Sequence, residues 1–389
     1  MPVVSRRAFI SANAAMAVVA SSNRLSAEGA TSPRKVEARS KAGAFSVFLS
    51  GERVIAMIRS ASRAPIPVVF DTGSSGNAID IGIAKSLGLK RVPHHIVKVV
   101  DGATGKGFDA SDYIMPEISI GGMSIGDRQV SGYPWVEDSA AGIFGPDLFS
   151  GQMMLLDLTA TRVRVFDKAG FITPAHAPSP YLGAKGDGVP AVEILLPSRN
   201  GGDPAFTVVG KLDSGNNSAL KLPADYVDRL PLMRPPTIMG RTTSVSGSRD
   251  VMGGQIKGTV KIASIALRDP EVIFDGLTPN VGLPVVRQLR ILLDPAAQQG
   301  WLLEKTVLPA AALSDYVGEY GIRRVTLRDQ QLVYQRQGRP ELPLVPLGCD
   351  IFDVEDSPNQ LWFERIDGRV TRMNSINNAN QVTGYDREP

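Results

Sequence analysis

From Tyr316 onward the chain alternates apolar and polar positions: "RRVTLRDQQLVYQRQ", "LPLVPLGCDIFDVE" and "NQLWFERIDGRVTRMNSI". A period of two sends successive side chains to opposite faces of a strand, so these stretches predict short, half-buried strands. Turns are predicted at Asp329-Gln330 and Asp367-Gly368. Upstream the pattern differs. In "VVFDTGSSGNAID", Val68 to Asp80, an apolar run drives straight into a carboxylate and then turns. Burying an unpaired charge is costly. Either Asp71 is a solvated turn former, or a second carboxylate waits nearby.

The second carboxylate has a candidate. "VVGKLDSGNNSALKL", Val208 to Leu222, repeats the pattern, with Asp213-Ser214-Gly215 matching Asp71-Thr72-Gly73. Each copy has a downstream partner: "AGIFGPDLFSGQMMLLD" carries Gly145 after Ile143 and Phe144, and "PNVGLPVVRQLRILLD" carries Gly282 after Val281. Gly145 lies 12 residues before Asp157, and Gly282 lies 12 before Asp294. Asp71 to Gly145 spans 74 residues and Asp213 to Gly282 spans 69. One such triplet is an ordinary turn. Two, with matched landmarks in the same order, indicate an internal repeat.

Composition supports a β-rich chain: 39 glycines and 28 prolines among 389 residues suit many turns. That length accommodates two or three domains. Net charge is +3 with no basic run, which offers no electrostatic footprint for nucleic acid. The one cysteine, Cys349, leaves no intramolecular disulfide and reads as a structural residue. Residues 171–190, "FITPAHAPSPYLGAKGDGVP", read as a connection, and "EKTVLPAAALSDY", 304–316, as another. The predicted division is a lobe over 44–170, a linker over 171–189, a lobe over 190–304 and a last β domain over 313–389.

The N-terminus reads as an address, residues 1–27. "SRRAFISANAAMAVVASS" sets Arg6 and Arg7 before a short apolar stretch and resembles a bacterial twin-arginine export signal, with cleavage after Ala20 or Ala27. The stretch is too short to span a bilayer, and no later run reaches about 18 apolar residues. The expected location is therefore periplasmic or secreted, with no membrane anchor.

The paired triplets resemble aspartic proteases of the retropepsin and pepsin type, over roughly Ala44 to Glu304. The resemblance implies a mainly β fold, with two retropepsin-like lobes in one chain. Each lobe would supply one Asp-Thr/Ser-Gly loop, supported by a strand ending in apolar-apolar-Gly. It implies Asp71 and Asp213 as catalytic residues, with Thr72, Gly73, Ser214 and Gly215 supporting them, and a peptide or protein substrate. It also places a flap near Gly102, Gly105 and Gly107, with "TTSVSGSRDVMGGQIKG" as its counterpart in the second half. Pepsins carry a tyrosine at the flap tip; residues 101–109 contain none, and Tyr113 is displaced from it. The section from Tyr316, with "YVGEYG", resembles the small lipocalin-like β domain attached to some penicillin-binding-protein-like hydrolases. It predicts a β-barrel-like accessory domain without chemistry of its own.

The residue types suit the reaction. Two close carboxylates cannot both ionise cheaply, so they share one proton. The ionised one takes a proton from water and the protonated one donates to the carbonyl oxygen. No metal, cofactor or covalent intermediate is needed. Other constellations are poor. His94 and His95 are adjacent and would face opposite sides of a strand, His176 sits in the linker, and Gly105-Lys106-Gly107 is no Walker loop. Trp135 is open between cleft-lining and plain packing roles. Two rivals to the protease reading remain: a catalytically silent peptide-binding protein, and a scaffold whose function resides in the last domain. Oligomeric state is not legible.

Overall fold

The computed structural model describes residues 16–18, 42–50, 53–101, 106–135, 140–168, 171, 173–174, 176–183, 188–200, 204–244, 247–303, 312–348, 350–357, 359–377 and 382–389. The Arg6-Arg7 motif, Gly102, Gly105 and Cys349 lie outside the described residues. The chain is mainly β, as the alternation and turn content predict. Among the described residues its strands form sheets of nine, five, ten and eight members.

Two of these sheets are copies of one plan. In the first, Arg53–Ser60 runs antiparallel to Ile66–Phe70. Ile66–Phe70 then pairs in parallel with Gly142–Phe144, which also pairs antiparallel with Ala78–Asp80. In the second, Val189–Leu196 runs antiparallel to Phe206–Asp213. Phe206–Asp213 pairs in parallel with Asn280–Gly282, which is flanked on its other side by Leu220–Leu222. Beyond these, Ala78–Asp80 meets Met123–Tyr133 in parallel and Leu220–Leu222 meets Glu271–Phe274 in parallel. Each sheet finishes in a long hairpin: Lys90–Asp101 with Gly107–Ile120, and Thr237–Ser244 with Gly247–Gln255. Met16–Val18 pairs along the outer edge of the first hairpin.

The helices are short because turn chemistry bounds them. Asp80 caps Ile81–Ser86, its side chain accepting from the Gly82 and Ile83 N–H groups. Pro146–Phe149 and Leu283–Val286 follow the two apolar-Gly strands, each with proline in its first turn.

The strands after each apolar-Gly segment leave their own lobe. Gln152–Asp157 and Arg290–Asp294 pair antiparallel, with Leu155 opposite Leu292, at the centre of a five-stranded sheet completed by Gly43–Ser46, Arg162–Asp167 and Gln299–Leu303. The matched 12-residue spacing has a local cause. Asp157 Oδ1 accepts from Ala160 N–H and Asp294 Oδ1 from Ala297 N–H, both at 3.1 Å. Each aspartate thus ends a strand by closing the next turn. The segment expected as linker is not featureless: Tyr181–Leu182 pairs with Val189 and Pro190.

The last sheet is an eight-stranded meander from Gly318–Tyr320 to Val382–Asp386. Asp329 and Gln330, then Asp367 and Gly368, all take positive φ, as two-residue hairpin turns require. Glu388 N–H donates to Glu319 C=O at 2.9 Å, which brings the last strand against the first and nearly closes a barrel. Its own core includes Tyr316, Tyr320, Phe352 and Phe363. The domain docks on the five-stranded sheet: Ile351 and Trp362 pack with Met153, Leu155, Phe166, Leu292 and Trp301. Trp362 meets Phe166 edge-on at 5.0 Å between centroids.

Candidate active site

The two Asp-containing loops meet between the lobes. Asp71 leaves the end of Ile66–Phe70, and its N–H donates to Phe144 C=O at 2.9 Å. Asp213 ends its own strand opposite Gly282. Both apolar-Gly strands therefore brace the loops they follow in sequence.

The hydroxyls cross over. Thr72 N–H donates to Ser214 Oγ and Ser214 N–H donates to Thr72 Oγ1, both at 3.0 Å. Thr72 Oγ1 donates to Leu212 C=O at 2.8 Å, and Ser214 Oγ to Phe70 C=O at 2.9 Å. Four buried hydrogen bonds thus tie the loops reciprocally. A buried donor or acceptor left without its partner costs ~1–3 kcal/mol, so the grip also fixes the relative position of the lobes.

The carboxylates converge at its centre. Gly215 N–H donates to Asp71 Oδ1 at 3.0 Å and to Asp213 Oδ1 at 3.1 Å, while Gly73 N–H donates to Asp71 Oδ1 at 2.7 Å. The approach requires glycine. A Cβ on Gly73 would lie 2.5 Å from Asp213 Cγ, and one on Gly215 would lie 2.6 Å from Asp71 Cγ. Both aspartates are fully buried. The carboxylate at the end of "VVF" therefore faces a second one.

The surroundings of the two are unequal. Asp213 Oδ2 accepts from Asn280 Nδ2 at 2.5 Å and lies 3.0 Å from Lys211 Nζ. Asp71 Oδ2 is buried without a hydrogen-bond partner. Burial, then the facing Asp213 carboxylate, push the Asp71 carboxyl well above the ordinary range, against the pull of Lys211 and the Gly73 N–H. Burial acts on Asp213 in the same sense. There, however, the Lys211 charge and the hydrogen bonds from Lys211 and Asn280 prevail and hold it below the ordinary value. Lys211 remains a cation: burial works against its charge, but Asp213 and Asp71 more than offset it.

Lys211 and Asn280 are the residues sequence reasoning missed. Lys211 stands two positions before Asp213, hence on the same face of its strand. Asn280 stands two before Gly282, and the parallel ladder sets Lys211 opposite Asn280. A lysine in an otherwise apolar approach to an aspartate was the available signal. Asn77 and Asp147 were missed as well. Asn77 accepts from Gly145 N–H at 3.2 Å and donates to Asp147 Oδ2 at 2.8 Å, bracing the first loop. Burial pushes the Asp147 carboxyl up to about 7, despite Asn77 and Arg128.

Of the flap glycines, only Gly107 is described, at the start of its hairpin strand. Tyr113 is a core residue, its ring filling the space beside Gly132. Trp135 is half-buried and packs on Tyr133 at 6.0 Å, in an apolar cluster with Val69, Phe108 and Ile143. His176 is exposed, and its carbonyl accepts from Trp301 Nε1 at 3.2 Å. Among the described residues no three His, Cys, Asp or Glu side chains gather as a metal site, and no helix is long and apolar enough to cross a membrane.

Residues 56–148 match the family model for aspartyl protease, a span from within Arg53–Ser60 to the turn after Gly145. The chain resembles aspartic proteases of the retropepsin and pepsin type, and the match supports aspartyl-type peptidase chemistry for it. No curated protein matches the chain. Among solved structures it is similar to the aspartic proteinase from Irpex lacteus, at 11% identity and a TM-score of 0.44, over 67% of this chain and 96% of that one.

Proposed function

We propose that the protein is an aspartic endopeptidase whose catalytic dyad is Asp71 and Asp213. The observation that carries this reading is the single Gly215 N–H shared by the two Oδ1 atoms, inside the reciprocal Thr72–Ser214 grip. One carboxylate takes a proton from water as its oxygen bonds to the scissile carbonyl carbon; the other donates a proton to the carbonyl oxygen. Collapse of the resulting diol returns a proton to the donor. The proton taken from water goes to the departing amine. Each carboxylate ends as it began. Under this reading the two long hairpins act as flaps that close over a bound peptide. Residues 44–170 and 190–304 serve as the lobes, 171–189 as their link and 313–389 as an accessory domain. Cleavage of a peptide library by the purified protein, with Asp71→Asn as a folded control, tests the activity. Equal cleavage by both proteins defeats it.

The silent peptide-binding reading keeps one specific support. Lys211 neutralises part of the dyad, and neither carboxylate is exposed. Under that reading peptides bind with no bond broken, which the same library distinguishes. The Arg6-Arg7 leader further suggests twin-arginine export to the periplasm or beyond. Replacing both arginines by lysine then leaves the protein in the cytoplasm, and unchanged export defeats that assignment.

A further inference from the structure

Two residues before each aspartate, the two halves diverge. In the first half Val69 lies opposite Ile143; in the second Lys211 lies opposite Asn280. The apolar pair gives Asp71 nothing to bond, and its Oδ2 is left without a partner. The polar pair saturates Asp213 Oδ2 with an ammonium and an amide. An ammonium at 3.0 Å favours the ionised form of the carboxylate it touches, and an amide N–H does the same. On Asp71, Oδ1 already accepts two N–H bonds, which leaves Oδ2 to carry the proton, and the protonated Asp71 carboxyl also hydrogen-bonds to the Asp213 carboxylate.

We propose that Lys211, with Asn280, is a positioning residue that keeps Asp213 as the carboxylate and leaves the dyad's one proton on Asp71 Oδ2. Resting on the aspartic endopeptidase reading, this gives the two aspartates roles that do not exchange: Asp213 Oδ1 receives the proton from water, and Asp71 Oδ2 donates to the carbonyl oxygen. Lys211 is the cation in contact with Asp213, while Lys221 acts on it through its charge from farther away. Lys221, buried on the adjoining strand, is engaged by Asp275 at 3.2 Å, and Asp275 also meets Arg249 at 3.3 Å. Arg53 donates to the Gly215 carbonyl at 3.2 Å. The direction of both carboxyl shifts agrees with this assignment.

The test reads protonation directly and does not depend on turnover. In protein carrying ¹³C at the aspartate carboxyl carbons, Asp71→Asn and Asp213→Asn assign the two signals. In the wild type, Asp213 stays a carboxylate to below the ordinary Asp value of about 3.9, and Asp71 takes its proton at higher pH. The reverse order overturns the proposal. In Lys211→Met, loss of an opposite charge at this range raises the Asp213 titration, and with it the acid limb of kcat/KM, by about 1–3 pH units. Lys211→Arg retains the wild-type limb. An Asp213 titration unmoved in folded Lys211→Met overturns the proposal. If Lys211→Met does not fold, Asn280→Leu must shift Asp213 in the same direction by a smaller amount, and no shift is likewise fatal. A wild type with the expected titration order but no peptide cleavage defeats the endopeptidase reading and leaves the proton assignment standing.

Discussion

Val69 and Lys211 occupy the same place in two copies of one loop, yet they make opposite environments. Around Asp71 the same-face neighbours are Val69, Ala78 and Ile143, continuous with the apolar cluster of Val97, Val99, Phe108 and Tyr133. Around Asp213 they include Lys211 and Asn280, backed by the buried Lys221–Asp275 pair. Backbone pairing is conserved between the halves while the charge environment is not. A repeated fold can thus hold two chemically identical groups in two different protonation states. The apolar half makes ionisation expensive; the cationic half makes it cheap.

The largest expected effect comes from removing either member. Asp71→Asn and Asp213→Asn each lower peptide turnover by roughly 10²–10⁴-fold, the usual worth of a positioned acid or base. The double variant falls little further, because the pair acts as a unit. Turnover of all three proteins, checked for folding by circular dichroism, decides this. Near wild-type activity in either single variant places the chemistry elsewhere, and an additive double variant breaks the notion of a joint dyad.

The grip tests whether the halves are as alike in support as they are unlike in charge. Thr72→Val strips an acceptor from Ser214 N–H and a donor from Leu212 C=O; Ser214→Ala does the same to Thr72 N–H and Phe70 C=O. Each change costs ~1–3 kcal/mol in urea unfolding, through buried groups left unpaired. The two costs are comparable and non-additive, since both residues belong to one network. A large cost on one side only means that one loop carries the other.

The last comparison concerns the braces behind the loops, where the effect shows only as a pH slope. In the first half the brace is Asn77 with Asp147, which titrates; in the second it is Asn216 with Asn280 at 2.9 Å, which does not. With its folded value raised to about 7, Asp147 holds a proton that the unfolded chain releases from about pH 3.9 upward. Its contribution to stability is thus present in acid and lost as pH rises through that window, with a slope of at most about 1.4 kcal/mol per pH unit. Asp147→Asn removes that slope. Denaturation midpoints measured from pH 4 to pH 8 for both proteins check it, and parallel profiles remove Asp147 from the account.

Much of this protein was legible along the chain. The period-two alternation after Tyr316 and the pairs Asp329-Gln330 and Asp367-Gly368 specify hairpins, because strand faces and positive-φ turns are local properties. The two Asp-Thr/Ser-Gly triplets and their downstream glycines announce a duplicated loop, because a repeat is visible without knowing what it touches. Other features depend on which distant segments share a ladder. That Gln152–Asp157 and Arg290–Asp294 would leave their lobes for a common sheet, and that Trp362 would dock there on Phe166, follows from burying apolar faces belonging to separate stretches. The asymmetry of the site is of this second kind. Lys211 and Asp213 are neighbours in sequence, but Asn280 is 67 residues beyond Asp213 and reaches it only through the parallel register with Phe206–Asp213. By itself the sequence determined that two carboxylates would be presented by equivalent loops. Tertiary structure decided which of them is surrounded by apolar side chains and which by a cation and an amide, since the stable charge on a buried group is set by the atoms packed against it and not by its own motif.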